Sequence, residues 1–280
     1  MAGRVEGKVV FGAAPRRIVV VGASTGLGRC LGVGLAGTGA EVALLARRKE
    51  LLEGAAAEAG PNSHPIVCDV TDERSCRSAV EASAEALGGI DGIVYCPAIA
   101  VLSRIENLTL ADWRKVFDTN VVGAALFTSA ALPYLVESSG TALFLSTVSA
   151  SVTAPWPGLA SYTVTKAALD KLVEAWRVEH PAVGFTRLVV GDCAGGEGIA
   201  SSQFINEWDM ELLGEVYPIW MSRGLLAGTV FDVAELVHVV DSILRCGASA
   251  SIPSATIVPR QSPAATSIAD LKHAPSLAEG

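Results

Sequence analysis

The chain is poor in charge and in aromatic rings: of 280 residues, 18% are Asp, Glu, Lys or Arg and 6% are Phe, Trp or Tyr. Basic residues are outnumbered, 21 against 29 acidic, for a net charge of −8. No basic stripe follows a predicted helix, so nucleic acid is not an expected partner. No run of about 18 uncharged apolar residues stands out, so no transmembrane span is expected. The first residues, M-A-G-R-V-E-G-K, lack the apolar core of a signal peptide. The six cysteines (30, 68, 76, 96, 193 and 246) form no C-x-x-C pair and have no His partners. They read as small, mostly buried thiols of a reduced, cytoplasmic protein without a metal site. Neither an internal repeat nor a linker divides the chain.

Small and apolar residues are abundant. The chain is 50% hydrophobic with 28 glycines and a mean hydropathy of +0.43. That is enough for a sizeable core and excludes a disordered chain.

From residue 17 the apolar residues fall into short β-branched runs alternating with longer helical stretches. Strands are expected at 17–22, 41–46, 64–68, 90–96, 141–146, 185–190 and 255–258. Helices are expected at 27–37, 49–59, 72–87, 161–179 and 231–245, with a long helical region at 110–136 and its kink at Pro133. Such alternation predicts one α/β domain, a Rossmann-like doubly wound parallel sheet with helices on both faces. It spans 17–260. Residues 1–16 are an N-terminal extension with a short apolar strand at 5–11, and 261–280 form an Ala/Ser/Pro-rich tail. Between them, 191–230 opens with a Gly-rich loop and carries Trp208, Met210, Tyr217, Trp220 and Met221. These suit either a lid over an apolar substrate or ordinary core helices.

Two motifs carry chemistry. The first strand runs into Gly22-Ala-Ser24-Thr25-Gly26-Leu27-Gly28 and then a helix. Glycines at a strand–turn–helix junction let backbone approach a pyrophosphate, and the helix start offers N–H groups to an anion. The same turn without a ligand is the plainer reading. The second motif is Tyr162-x-x-x-Lys166, with Ser149 thirteen residues before the tyrosine. A free tyrosine has a pKa of about 10. A lysine one helical turn away favours the phenolate and is expected to lower that value toward the working range of a general acid/base. A nearby serine can hydrogen-bond a substrate oxygen.

In this order, the glycine turn, a central Asn, the spaced Ser and Tyr-x-x-x-Lys resemble the short-chain dehydrogenase/reductase family over about residues 17–260. The turn matches the family's T-G-x-x-x-G-x-G with Val21 in place of the threonine. Cys68-Asp69-Val70 is similar to the Asp-Val that touches the adenine, and Asp118-Thr-Asn120-Val-Val-Gly to the helix segment carrying the catalytic Asn. The resemblance implies that Tyr162 is the acid/base and Ser149 polarises the substrate oxygen. Lys166 would hold the nicotinamide ribose and Asn120 a water of a proton relay. Ser146 is a rival for Ser149, displaced by three in its spacing.

Two segments depart from the family. Asn-Asn-Ala-Gly after the fourth strand is replaced by Tyr95-Cys96-Pro97-Ala98, and Pro-Gly after the sixth by Asp192-Cys193. Cys96 and Pro97 would floor the cofactor site, and Asp192 would place an unusual anion near the nicotinamide. The second strand ends at Ala46, with no carboxylate to bond a ribose 2′-hydroxyl, and Arg47-Arg48-Lys49 follows. NADP(H) is therefore expected over NAD(H), with Arg47 the main phosphate contact and Arg48 a second.

The expected substrate is a carbonyl or secondary alcohol with hydrophobic bulk, in a pocket lined by Ser103, Trp208, Trp220 and Met221 and close to Trp156 and Pro157. A homodimer or homotetramer is expected through the helices at 110–136 and 161–179. The alternatives are a nucleotide-binding regulator or scaffold that has lost turnover, and an epimerase or dehydratase of nucleotide sugars.

Overall fold

The computed structural model describes residues 16–194, 204–205 and 208–260. The expected N-terminal strand, the tail and part of the expected lid lie outside the described residues. The chain alternates as predicted: β1 (Arg17–Val21), α1 (Gly26–Gly37), β2 (Glu41–Ala46), α2 (Lys49–Ala59), β3 (Ser63–Val67), α3 (Glu73–Leu87) and β4 (Gly92–Tyr95). Next come α4 (Leu110–Phe117), α5 (Gly123–Ser138), β5 (Thr141–Thr147), the short α6 (Val148–Ser151), α7 (Ala160–Glu179) and β6 (Gly184–Val190). The last elements are β7 (Cys193–Ala194), α8 (Met210–Ser222), β8 (Phe231–Asp232), α9 (Val233–Leu244) and β9 (Ser254–Ile257).

Seven strands form one sheet in the order β3-β2-β1-β4-β5-β6-β9, every pair parallel. The continuous apolar runs have a direct reason. Successive side chains alternate between faces, and both faces are covered. Val19 and Val21 of β1 enter the core beneath α3, α5 and α7, while Ile18 and Val20 enter the one beneath α1, α2 and α9. Ala142 and Phe144 of β5 divide from Leu143 and Leu145 in the same way. The strand order reverses between β1 and β4, and the crevice beyond their carboxyl ends is where an open α/β sheet holds a ligand.

Three expectations change. The long helix is interrupted at Asp118–Val122, a π-helical turn, and Pro133 lies inside α5. The interruption carries Asn120, and such turns commonly mark functional positions. Second, residues 119–136 carry no charge, and Leu110–Ser138 is long and apolar enough, by length and composition, to cross a membrane. Here Ala124, Phe127, Ala131 and Leu135 of this segment pack into the core beside α3 and α7. Third, the expected helix at 231–245 begins at Val233: the Asp232 side chain caps it by accepting from the Ala234 N–H at 2.8 Å. Phe231 and Asp232 are extended and pair with β7.

Candidate active site

A cavity of about 900 Å³ opens at the carboxyl end of the sheet, above the β1–β4 crevice. Its first wall is the glycine turn. Gly22 and Gly26 have φ of 81° and 58°, where side-chain-bearing residues are strained. A Cβ on Gly28 would lie 2.2 Å from the Gly22 carbonyl oxygen, so no other residue fits there. Ser24, Thr25 and Leu27 line the same wall.

The two arginines after β2 divide their tasks. Arg48 Nη2 donates to Ser24 Oγ at 3.0 Å and Thr25 Oγ1 at 2.8 Å, tying β2 to the turn. Arg47 is exposed at the cavity edge. Asp69 and the buried Val70 follow β3. Burial works against the Asp69 carboxylate. Hydrogen bonds from the Thr71 N–H and hydroxyl, at 3.0 and 2.8 Å, and the charge of Arg47 outweigh that and hold its pKa below the usual value.

Cys96 and Pro97 floor the cavity. Burial pushes the Cys96 thiol up to about 12, so it is an inert packing group. Pro97 lies close over the turn: a Cβ on Gly22 would come within 3.1 Å of its nitrogen. The Asp192 carboxylate accepts the Ala227 N–H at 2.7 Å, and its carbonyl accepts the Phe231 N–H at 3.1 Å. Burial raises the Asp192 pKa and the Ala227 bond opposes the rise. Asp192 therefore ties the segment after α8 to the end of β6, in addition to lining the cavity.

The Asn120 side chain is fully buried and spends its amide on the protein. Its Oδ1 accepts from the Ile99 N–H, and its Nδ2 donates to the Ile99 carbonyl and to Thr165 Oγ1, at 2.9, 2.9 and 3.0 Å. It staples the 97–100 segment to α7.

On α7, Tyr162 and Lys166 line the cavity one turn apart. The Lys166 ammonium donates to the Leu145 carbonyl at 2.8 Å and lies 6.0 Å from the centre of the Tyr162 ring. Burial pushes the Tyr162 phenol up to about 12, partly offset by the nearby Thr147 hydroxyl. Burial also pushes Lys166 down to about 8. The expected depression of the tyrosine by the lysine is thus not realised. Tyr162 is partly exposed to the cavity, but burial of the phenol still outweighs a charge held 6.0 Å from the ring centre and hydrogen-bonded to the Leu145 carbonyl.

The hydroxyl beside Tyr162 is a second difference. Ser149 lines the cavity but is 4% exposed. Its Oγ accepts from Thr163 Oγ1 at 3.3 Å and lies 3.4 Å from Thr147 Oγ1. Thr147, at the end of β5, is the hydroxyl-bearing side chain that lies close enough to the Tyr162 phenol to lower its pKa. Spacing alone pointed to Ser149. The sequence signal for Thr147 is its place as the last residue of a strand that ends at the ligand crevice. Ser146 also lines the cavity, buried.

The end of the cavity away from the glycine turn is aromatic. Tyr162 meets Phe204 edge-on at 4.9 Å, and Phe204 continues to Trp208, Trp220 and Trp156 at centroid distances of 5.4, 6.3 and 5.4 Å. All three indole N–H groups are spent on the protein: Trp208 on the Ala100 carbonyl, Trp220 on the Pro157 carbonyl, Trp156 on Thr153 Oγ1. Met221 lines the cavity as expected, but Ser103 and Pro157 do not. The Ser103 backbone N–H is bonded to the Gly158 carbonyl and its hydroxyl to the Arg104 carbonyl, which holds it in the loop. Among the described residues, no group of three or more His, Cys, Asp or Glu gathers to hold a metal.

A parallel sheet with a glycine turn at its switch point and a Tyr–Lys pair on the helix after β5 defines a nucleotide-binding α/β protein of dehydrogenase type. The family model described as short chain dehydrogenase matches residues 16–192, and the chain belongs to the short-chain dehydrogenase/reductase family. It is 35% identical over 167 residues to 11-beta-hydroxysteroid dehydrogenase 1A of Arabidopsis thaliana, covering 58% of this chain and 47% of that protein. The chain thus spans about half the length of the plant relatives it matches. It is 30% identical over 232 residues to gluconate 5-dehydrogenase of Gluconobacter oxydans, covering 81% of this chain and 87% of that one. Among solved structures, serine dehydrogenase complexed with NADP+ superposes with a TM-score of 0.73 at 22% identity, covering 86% of this chain and 94% of that one. A 3-ketoacyl-(acyl-carrier-protein) reductase from Brucella melitensis complexed with NADH superposes at 0.72 and 19% identity, covering 86% and 96%. Both show the shared fold.

Proposed function

We propose that the protein is an NADP(H)-dependent oxidoreductase that interconverts a carbonyl and a secondary alcohol on a neutral, apolar, ring-bearing substrate, with Tyr162 as the acid/base. The observation that carries this reading is the place of Tyr162. Its phenol stands where the glycine-walled half of the cavity meets the aromatic half, beside the Thr147 hydroxyl.

The glycine-walled half fits a dinucleotide. Its turn can carry no side chain at Gly28, and the N-terminus of α1 faces the cavity. Asp69 and Val70 would border the adenine, Arg47 the ribose phosphate, and Lys166 the nicotinamide ribose. When bound, the nicotinamide supplies or accepts the hydride. In reduction, Tyr162 gives its phenolic proton to the carbonyl oxygen. Its raised pKa keeps that proton in place at neutral pH. Thr147 donates a hydrogen bond to the same oxygen, the role expected of Ser149. Ser149 orients Thr147 from behind. Asn120 holds the floor segment at Ile99 against α7.

Two facts support a neutral, apolar substrate. The described charged residues of the cavity wall are Arg47, Arg48, Asp69, Lys166 and Asp192, all in the cofactor half or at the junction. The aromatic half keeps its indole donors for itself, so it offers ring faces and edges rather than hydrogen bonds. Leu213, Tyr217, Trp220 and Met221 of α8 line this half, which supports the lid reading of this segment over that of ordinary core helices. NADP(H) over NAD(H) rests on the same Arg47 and on the missing carboxylate at Ala46. Leu110, Val122 and Val164, exposed apolar residues on α4, the π-turn and α7, support a homodimer or homotetramer through these helices; sedimentation would test it.

The test is a fluorescence titration with NADPH and NADH in parallel, followed by turnover of aromatic ketones. Tighter binding of NADPH and reduction of uncharged ketones are expected. Binding of neither nucleotide would overturn the proposal.

A further inference from the structure

The mechanism leaves one buried acid unused. Asp170 lies on α7 one turn beyond Lys166 and faces the sheet, 4% exposed. Its neighbours Leu169 and Val173 belong to the apolar core, where a carboxylate is costly unless it is paired. Three elements converge on it. From β6, Arg187 Nη1 reaches Asp170 Oδ2 at 3.4 Å, while its Nε and Nη2 hold Ser254 Oγ of β9 at 3.2 and 3.1 Å. From β5, the buried Ser146 hydroxyl comes within reach of the carboxylate without a well-aligned bond, and both Ser146 Oγ and Asp170 Oδ1 are buried. From α7 itself, Lys166 and Tyr162 lie on the same side.

We propose that Asp170 is a positioning residue for the catalytic pair: a buried counter-charge one helical turn from Lys166, held by Arg187, that steadies the Lys166 ammonium in the site. The inference rests on the reading of Tyr162 as the acid.

The charged and titratable groups around the pair are few. Burial drives the Lys166 amine down, and Cys96 at the end of β4 and Asp170 oppose it. Burial drives the Tyr162 phenol up, Thr147 lowers it, and the charge of Asp170 adds to the rise. Removing the negative charge therefore moves both groups the same way, toward losing their protons at lower pH. Arg187 and the Lys166 charge favour the ionised acid against its own burial, which raises the Asp170 pKa overall. Arg187 belongs to the arrangement because Asp170 has no effect on its neighbours once protonated.

Lys166 titrates in an accessible range, and the chain has only six lysines. NMR of lysines labelled at Cε, with the Lys166 signal assigned by its loss in Lys166→Met, gives the midpoint directly. In Asp170→Asn we expect this midpoint to fall by roughly half to one pH unit. Asp170→Glu, which keeps the charge, should remain near the wild-type value. Asp170→Ser, smaller and neutral, serves as the second variant should the amide not fold, with the same downward shift expected. An unchanged Lys166 midpoint in a folded neutral variant would overturn the proposal. The titration uses neither nucleotide nor substrate, so a failure of the oxidoreductase reading would show separately, as wild-type protein that binds no NADPH.

Discussion

The two halves of the cavity are built from different material. The cofactor half is backbone and charge: glycines at φ of 81° and 58°, a helix N-terminus, Arg47, Arg48 and Asp69. The substrate half is side chain: Phe204, three tryptophans and Tyr217 on α8 and the loops facing it. The first half is made by residues close together in the chain, mostly within one β-α-β unit. The second joins residues far apart, such as Trp156 with Trp220 and Trp208 with the Ala100 carbonyl. A pyrophosphate is the same in every dinucleotide, so local geometry suffices to bind it. A substrate's shape must be matched by packing between distant segments.

The contrast can be broken hardest where the halves meet. Tyr162→Phe should leave NADPH binding near wild type and cut turnover by about a thousandfold, the scale of losing a general acid. Loss of nucleotide affinity instead would place Tyr162 in the cofactor half. Next, Thr147→Val should lower kcat by about a hundredfold, the scale of losing one donor to a developing oxyanion. Ser149→Ala should cost several-fold less if its role is to orient Thr147. The reverse order would restore Ser149 to the role its spacing suggested.

A smaller effect is expected from charge at the cavity edge. Arg47→Asp should weaken NADPH by about tenfold to a hundredfold, the range for a hydrogen bond to a charged group, and leave NADH nearly unchanged. Equal losses would mean that Arg47 shapes the site rather than reading the phosphate. The smallest effect concerns stability. Lys166 binds its proton only up to about pH 8 when folded, against 10.5 for an ordinary lysine. The unfolded chain therefore holds more protons between these values, so this group costs the fold stability at neutral pH and the cost fades as pH rises toward 10.5. Lys166→Met should abolish turnover yet raise stability at pH 7 by roughly 1–3 kcal/mol, measured by denaturant unfolding. A fall in stability would show that the bond to the Leu145 carbonyl matters more than the burial of the charge.

Much of the fold was legible because its signals are local. A buried parallel strand needs apolar side chains on both faces, so runs such as Arg17–Val21 and Thr141–Thr147 announce themselves. The glycine turn and the Tyr162–Lys166 spacing were legible for the same reason. Boundaries that depend on a cap or on a pairing partner were not, as with Phe231 and Asp232, which pair with β7 rather than starting α9. Asp192 read as a misplaced anion because its partner, the Ala227 N–H, is 35 residues away. The sequence could not show that Arg48 is bound to the turn hydroxyls, because those lie more than twenty residues earlier in the chain.

Periodicity and local motif chemistry therefore carried the strand order's raw material, the glycine-walled half and the position of the Tyr162–Lys166 pair on its helix. Each depends on residues within a turn or two of one another, whose relative placement is set by backbone geometry. Only the folded chain decided which hydroxyl meets Tyr162, how far burial moves the Tyr162 and Lys166 protons, that Asp170 lies beneath them, and which aromatics close the substrate end. Those properties come from burial and from contacts between distant segments, and neither exists until the sheet and its covering helices have packed.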